Sequence, residues 1–398
     1  MDSDKYLVSI VIATHNRSAY AISCISSLLE IHSEHIQVVV HDTSNDECAL
    51  ARWVESNKNP RLVYVHWQER LSMTENHERA IALAQGHYVC LIGDDDTVSS
   101  YIVDVAKFAK YNNINMLTPK VKATYYWPDF RTKNYGSAHA GKIYVHPYDF
   151  KISCHDVSGC LKSATRSACQ GTDGMPKLYH GLVSRHLLIN IKKQNGIIFH
   201  GTSPDMSASV GLCLLGGTYH LLDFPFTMPG GGGNSNSGRS AVGKHKGELK
   251  NDPHLTPFKN LTWPEIIPSF FSVETVWAHA AWETLPEVDR YKRFNLSRLY
   301  ALCLFNHSDY FKQTVRAFRK ANELGNVSFV SLISEFFLVA KDYLKARIIR
   351  LRNPGPSNGS TVVGVVNDVS LARKKLDEFL TLKLNSRSVS DWLQGLKV

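Results

Sequence analysis

Apolar runs of strand length recur along the first hundred positions, each closed by polar residues. Residues 6–13, YLVSIVIA, are continuous, apolar and rich in β-branched side chains. Residues 18–31, SAYAISCISSLLEI, space their apolar positions three and four apart, which predicts a helix. The alternation continues with IQVVV at 36–40, RLVYVHW at 61–67, a helical MTENHERAIALAQG at 73–86 and HYVCLI at 87–92. Strands this uniformly apolar are covered on both faces, so the order strand, helix, strand, strand, helix, strand predicts an α/β sheet with parallel crossovers. Ligands of such sheets bind at strand carboxyl ends, which places residues 14–17, 42–46 and 94–96 around one crevice.

The middle of the chain is less regular. Residues 125–130 (YYWPDF) and 151–170 read as loops or short strands, 177–192 (KLYHGLVSRHLLINIK) as the start of a helix, 204–217 as a helix closed by glycine, and 218–226 as a strand. Residues 229–247, PGGGGNSNSGRSAVGKHKG, form a loop whose composition serves either as a linker or to wrap phosphates with backbone N–H groups. From 262 the pattern is helical. Leu332, Phe336, Ala340, Leu344, Ile348 and Leu351 fall near one face, with Lys341, Lys345, Arg347, Arg350 and Arg352 around it. NPGPSNGS at 353–360 breaks the pattern before a last helical stretch, SLARKKLDEFLTLKL. The predicted organisation is an α/β domain over 1–247, a mainly helical C-terminal domain over 248–352, and a linker with a terminal helical segment over 353–398.

Composition narrows the function classes. No run approaches the roughly 18 apolar residues of a membrane span, so a cytoplasmic location is expected. The eight cysteines include no C-x-x-C pair and read as reduced thiols; Cys154, His155, Cys160 and Cys169 are close in sequence but match no standard zinc spacing. The net charge of +9 is unevenly spread: residues 241–398 hold 23 Lys+Arg against 15 Asp+Glu, whereas residues 1–240 hold 22 against 21. An anionic membrane surface, a polyanionic acceptor or an ordinary solvated face each accommodates that excess. Nucleic acid is disfavoured, because the basic tail lacks the interleaved aromatics of a recognisable module.

The chemistry concentrates in CLIGDDDTVSS, residues 90–100. Adjacent carboxylates repel one another, so Asp94, Asp95 and Asp96 require a cation or strong donors unless they form a solvated turn. Oxygen-only ligands beside a phosphate-bearing substrate favour magnesium or manganese. The succession VSIVIATHNRS (8–18), VVVHDTSND (38–46), SMTENHERAIALAQGHYV (72–89) and LIGDDD (91–96) resembles the nucleotide-sugar-binding half of the family 2 glycosyltransferases, which have the GT-A (Rossmann-like) fold.

That resemblance implies roles position by position. Ala13, Thr14 and His15 would border the nucleoside, His15 standing where the family often has Tyr. Arg17 would meet a phosphate, Asp42 would hydrogen-bond the base, typically uracil, and Asn76 would line the donor pocket. Gly93-Asp94-Asp95 occupies the family's D-x-D positions, with Gly93 in place of the first aspartate. Asp95 would be the principal metal ligand, Asp94 would lie nearer the sugar or ribose, and Asp96 would act through water. Asp205 resembles the Asp of the family's E-D or P-D motif, the general base of an inverting transfer; its other reading is a charge on the first turn of its helix. Ser235, Ser237, Arg239 and Lys244 would reach phosphate oxygens, His245 would complete the metal shell, and Tyr179 and His180 would form an acceptor-side loop.

The implied activity is a manganese- or magnesium-dependent inverting glycosyltransferase of hexosyl or N-acetylhexosaminyl type. It would move a sugar from a nucleoside-diphosphate donor, UDP favoured, to a glycan or lipid-linked acceptor in capsule or O-antigen synthesis. The basic helices near 312–352 and 373–387 would hold it at the inner face of the membrane, although a helix–helix core is another use of such stripes. Two rival readings are a sugar-phosphate nucleotidyltransferase and a non-catalytic glycan-binding protein with a degenerate transferase domain. The first calls for a Gly-rich, Arg/Lys-bearing loop after the opening strand, where ATHNRSAY stands; the second calls for erosion of the aspartate triplet or of Asp205.

Overall fold

A computed structural model describes residues 5–397 apart from 46, 122, 244, 354, 385 and 386. Its centre is an eight-stranded sheet. The strands are β1 (Tyr6–Thr14), β2 (Ile36–Asp42), β3 (Leu62–His66), β4 (Gly86–Ile92), β5 (Met116–Pro119), β6 (Ile152–Asp156), β7 (Leu182–Ser184) and β8 (Thr218–Leu222). They lie in the order β3-β2-β1-β4-β7-β5-β8-β6. The first four are mutually parallel, as their continuous apolar runs predict, whereas β7 runs antiparallel to both β4 and β5, and β6 antiparallel to β8.

The pleat explains why these strands are apolar at every position. Ile10, Ile12, Val38, Val40, Cys90 and Ile92 enter the core on one face, and Val11, Val39, Val89 and Leu91 enter the core on the other. Helix α1 (Ser18–Leu29) covers the first face. Helices α2 (Met73–Ala82) and α3 (Pro204–Leu214) lie on the second. The C-terminal helices α4 (Val273–Thr284), α5 (Leu296–Asn306), α6 (Phe311–Glu323) and α7 (Phe329–Arg352) extend that second core, where Trp282, Leu299 and Tyr300 join the same cluster as Val89 and Leu91. The molecule is thus an α/β sheet followed by a largely helical region.

Three segments differ from the sequence-based reading. Residues 177–192 do not start as a helix: His180 has a φ of 66°, and its N–H donates to Leu91 O (2.8 Å) at the end of β4. That backbone turn feeds β7, and the helix begins only at Arg185. Residues 151–170 are ordered as β6 and a helix, Val157–Arg166, whose first turn is capped by Asp156 accepting from Gly159 N. Beyond the 353–360 break, Thr361–Val365 is a strand pairing antiparallel with Lys142–Val145, and α8 (Val369–Lys383) packs on α1. Val369, Ala372, Leu376 and Leu380 are fully buried in the core that contains Ile10 and Ile12, so this segment completes the N-terminal unit.

Candidate active site

The site begins where β1 ends. Thr14 donates its hydroxyl to Asp94 Oδ2 (2.7 Å), and Asn16, at a φ of 53°, turns the chain so that Arg17 reaches back from the start of α1. The Arg17 guanidinium lies 2.8 Å from Asp94 Oδ1 and 3.1 Å from Asp95 Oδ2. The third carboxylate is held differently: Asp96 accepts from Gly93 N and Gly230 N (both 2.6 Å), with His180 Nε2 3.1 Å away. Thus the cations and donors that three adjacent carboxylates require are supplied by side chains and amides from four segments of the chain.

Glycine at position 93 has a steric cause. A Cβ there would fall 2.7 Å from the Tyr179 hydroxyl and 3.0 Å from Asp96 Oδ2, so Tyr179 fills the space a side chain would need. The Gly-rich loop makes a similarly close approach. A Cβ on Gly230 would fall within 1.8 Å of Asp95 O, and Gly232 N donates to Asp95 Oδ2 (2.9 Å). Backbone N–H groups of this loop therefore grip the acidic turn itself.

Burial and charge divide the three aspartates. Burial pushes Asp95 up to about 7, with Arg17 opposing and the neighbouring carboxylates adding to it. Burial likewise raises Asp94 despite Arg17. For Asp96 the burial penalty is outweighed by His180 and the two amide donors, which hold it below the ordinary carboxylate range. Burial would depress Arg17, yet Asp94 and Asp95 outweigh it and keep the guanidinium firmly charged.

These groups open onto a cavity of about 890 Å³ at the carboxyl ends of β1 and β4. Ala13, Thr14, His15, Arg17 and Asn76 line one side, with the three aspartates, Tyr179 and His180 at its floor. Asp205, in the first turn of α3, lines it from another element, and Ser203 donates its hydroxyl to Asp205 Oδ1. Ser235, Ser237, Arg239 and His245 line it from the Gly-rich segment; Lys244 lies outside the described residues. The His15 ring is fixed by Nδ1 on Thr43 O (2.8 Å), and Asn76 braces two strand ends through His41 Nδ1 (2.6 Å) and Thr14 O (3.1 Å).

Other expected positions fall differently. Asp42 is buried behind the cavity, one oxygen accepting from Ser44 N (2.8 Å) and the other from Tyr64 OH (2.9 Å). Ser235 spends its hydroxyl on Gly232 O and on capping the Asn236–Ala241 helix, and Arg239 pairs with Asp252 at 3.1 Å. His245 is hydrogen-bonded to Ser240 (2.8 Å) and packed against Phe271, and burial lowers its pKa to about 4. Among the described residues no group of three or more His, Cys, Asp or Glu side chains is arranged to hold a metal, so Asp95, Asp96 and His245 are not assembled as one shell. Cys154, Cys160 and Cys169 form no such group either. What does suit a cation is Asp95: Oδ2 is engaged, while among the described residues no hydrogen bond reaches Oδ1. One carboxylate oxygen together with substrate phosphates is a usual magnesium environment.

Two histidines in the site were not anticipated. His77, on the face of α2 next to Asn76, and His254, held by Thr202 O (2.7 Å), both border the cavity and both feel the charge of Asp205. His77 sits inside the quoted ENHERA stretch but carries no spacing signal, and His254 lies in a segment without periodicity.

Residues 9–170 match the family model described as glycosyl transferase family 2. WcaA of Escherichia coli (strain K12), which carries the name of a colanic acid biosynthesis glycosyl transferase, is 35% identical over 91 residues, covering 23% of this chain and 33% of its own. The uncharacterized protein MT1568 of Mycobacterium tuberculosis (strain CDC 1551 / Oshkosh) is 30% identical over 93 residues, covering 23% of this chain and 28% of its own. The chain therefore spans about a third of the length of these relatives. The crystal structure of S. aureus TarS 1–349 in complex with UDP-GlcNAc is 15% identical, covering 85% of this chain and 92% of that chain with a TM-score of 0.47. The matched segment supplies every aspartate of the 94–96 turn, while Asp205 and the Gly-rich loop come from beyond it.

Proposed function

We propose that the protein transfers a sugar from a nucleoside-diphosphate sugar, with uridine diphosphate as the favoured carrier, to a hydroxyl of a glycan or lipid-linked acceptor, inverting the anomeric centre. The observation that carries this reading is one cavity with an Arg17-bridged aspartate turn at its floor and a half-buried carboxylate, Asp205, on a separate helix. Arg17, which lines the cavity beside the acidic turn, is the cation that a diphosphate there would meet. Asp205 has one oxygen fixed by Ser203 and the other available as a proton acceptor. In the transfer the acceptor oxygen bonds to the anomeric carbon as the bond from that carbon to the diphosphate breaks; the acceptor proton passes to Asp205, and the nucleoside diphosphate leaves. A magnesium or manganese ion held by Asp95 Oδ1 would neutralise charge on the diphosphate. The WcaA resemblance supports surface polysaccharide, capsule or O-antigen, as the product class.

Calorimetric titration with uridine diphosphate, with and without manganese, tests the reading in wild type, Asp95→Asn and Asp205→Asn. Binding should require the metal, fail in Asp95→Asn and persist in Asp205→Asn, whose turnover should drop about 10²–10⁴-fold. Absence of binding for every nucleoside diphosphate sinks the proposal.

A further inference from the structure

Helix α7 is sparsely covered for its length. Over its 24 residues only Leu332 and Val339 are buried. On the opposite side Val330 (77% exposed), Ile333 (42%), Phe337 (69%), Leu344 (61%), Ile348 (55%) and Leu351 (77%) recur at intervals of three, four or seven residues. That spacing places them in a single stripe along the helix, about 60° wide and about 32 Å long. Exposed apolar surface of this extent marks an interaction site.

Charge identifies the occupant. Both acidic residues of the C-terminal three quarters of the helix, Glu335 and Asp342, lie on its inner side and pair with Arg298 of α5. Lys341, Lys345, Arg347 and Arg352 flank or interrupt the apolar stripe, and among the described residues none of them has a carboxylate partner. A second copy of the helix laid along the stripe would bring these cations against their own kind with no acidic residue to answer them. An anionic lipid surface answers both features, since apolar side chains sink below the headgroups while lysines and arginines meet the phosphates. No helix among the described residues is long and apolar enough to cross a membrane, so the helix would lie in the plane of the interface. Arg350, the remaining cation, contacts Tyr135 near the end of α7.

We infer that α7 docks the protein onto anionic bilayers through its Val330–Leu351 stripe and flanking basic residues. The inference is independent of the donor and acceptor chemistry proposed above, and its test uses no nucleotide.

The full chain is mixed with vesicles of phosphatidylglycerol and phosphatidylethanolamine, or of phosphatidylcholine alone, and bound protein is measured by flotation. Wild type should float with the anionic vesicles at low salt, be released at high salt, and leave the phosphatidylcholine vesicles unbound. Lys341→Gln with Lys345→Gln should weaken binding by roughly tenfold or more, and Phe337→Ser with Leu344→Ser should abolish it. All four positions are exposed, and melting curves matching wild type confirm that the variants fold. Wild type that stays unbound, or binding that the Phe337→Ser, Leu344→Ser variant retains, overturns the inference. Concentration-dependent dimers lost in that same variant, without flotation, would instead assign the stripe to a second copy.

Discussion

At the scale of single residues, position 93 shows how the acidic turn is built. The resemblance to family 2 transferases makes Gly93 a departure, and the structure gives its cause in the Tyr179 hydroxyl, which occupies the volume of a side chain. Gly93→Ala should therefore destabilise the fold by about 1–3 kcal/mol through overpacking against Tyr179 and Asp96. In Gly93→Ala with Tyr179→Phe much of that loss should return, because the nearest clashing atom is gone; thermal melts of the two single variants and the double read the coupling directly. Much of this site was legible from residue types alone. Arg17, Asp94 and Asp95 follow from strand ends, since a parallel sheet delivers its polar termini to one edge. Asp42, expected to hydrogen-bond the nucleobase, closes a turn on Ser44 and accepts a bond from Tyr64, contacts that its residue type alone does not disclose. His254 and Trp127, whose Nε1 donates to Asp95 O (2.9 Å), come from segments with no pattern, and only tertiary folding brings them to the aspartates.

Elements were legible in proportion to how far local pattern decided them. Strands β1, β2 and β4 are buried on both faces and announce themselves as unbroken apolar runs. Strand β7 is three residues long and enters through a left-handed His180, so its sequence, embedded in helix-like spacing, gave no sign of it. Helix α8 was recognised as a helix, but its role was not. Its Asp377 accepts from Ser99 Oγ (2.5 Å) and Ser100 N (3.2 Å), just after the acidic turn, while Leu376 and Leu380 fill the core under α1. Leu376→Ala should thus cost about 2–5 kcal/mol, an ordinary price for a fully buried leucine, measurable as a lowered midpoint in denaturant. A helix tethered by a linker, as the sequence suggested, would lose far less.

For the molecule as a whole, buried histidines set the response to acid. Burial holds His77, His245 and His279 neutral, each with a pKa near 4, against 6.5 in an open chain. Between these values the unfolded state binds protons that the native state does not, so stability falls as pH drops through that window and is unaffected by these groups above it. Asp95, raised to about 7, and Asp94, Asp104, Glu283 and Asp377, raised by burial as well, work in the opposite direction. His41, His139, His186, His200, His220 and His254 are also lowered, so the histidines outnumber these carboxylates. Melting temperatures should therefore fall by several degrees from about pH 7 to about pH 5, and replacing His279 by Gln should flatten that slope. The strand Thr361–Val365 and helix α8 have a further consequence, for the order in which the protein is made. The cover of α1 is encoded more than three hundred residues after α1 itself, so a chain emerging from the ribosome keeps that apolar face open until α8 has been made. The N-terminal sheet must wait for that distant helix before its first core is shut, and until then the face is available to a chaperone.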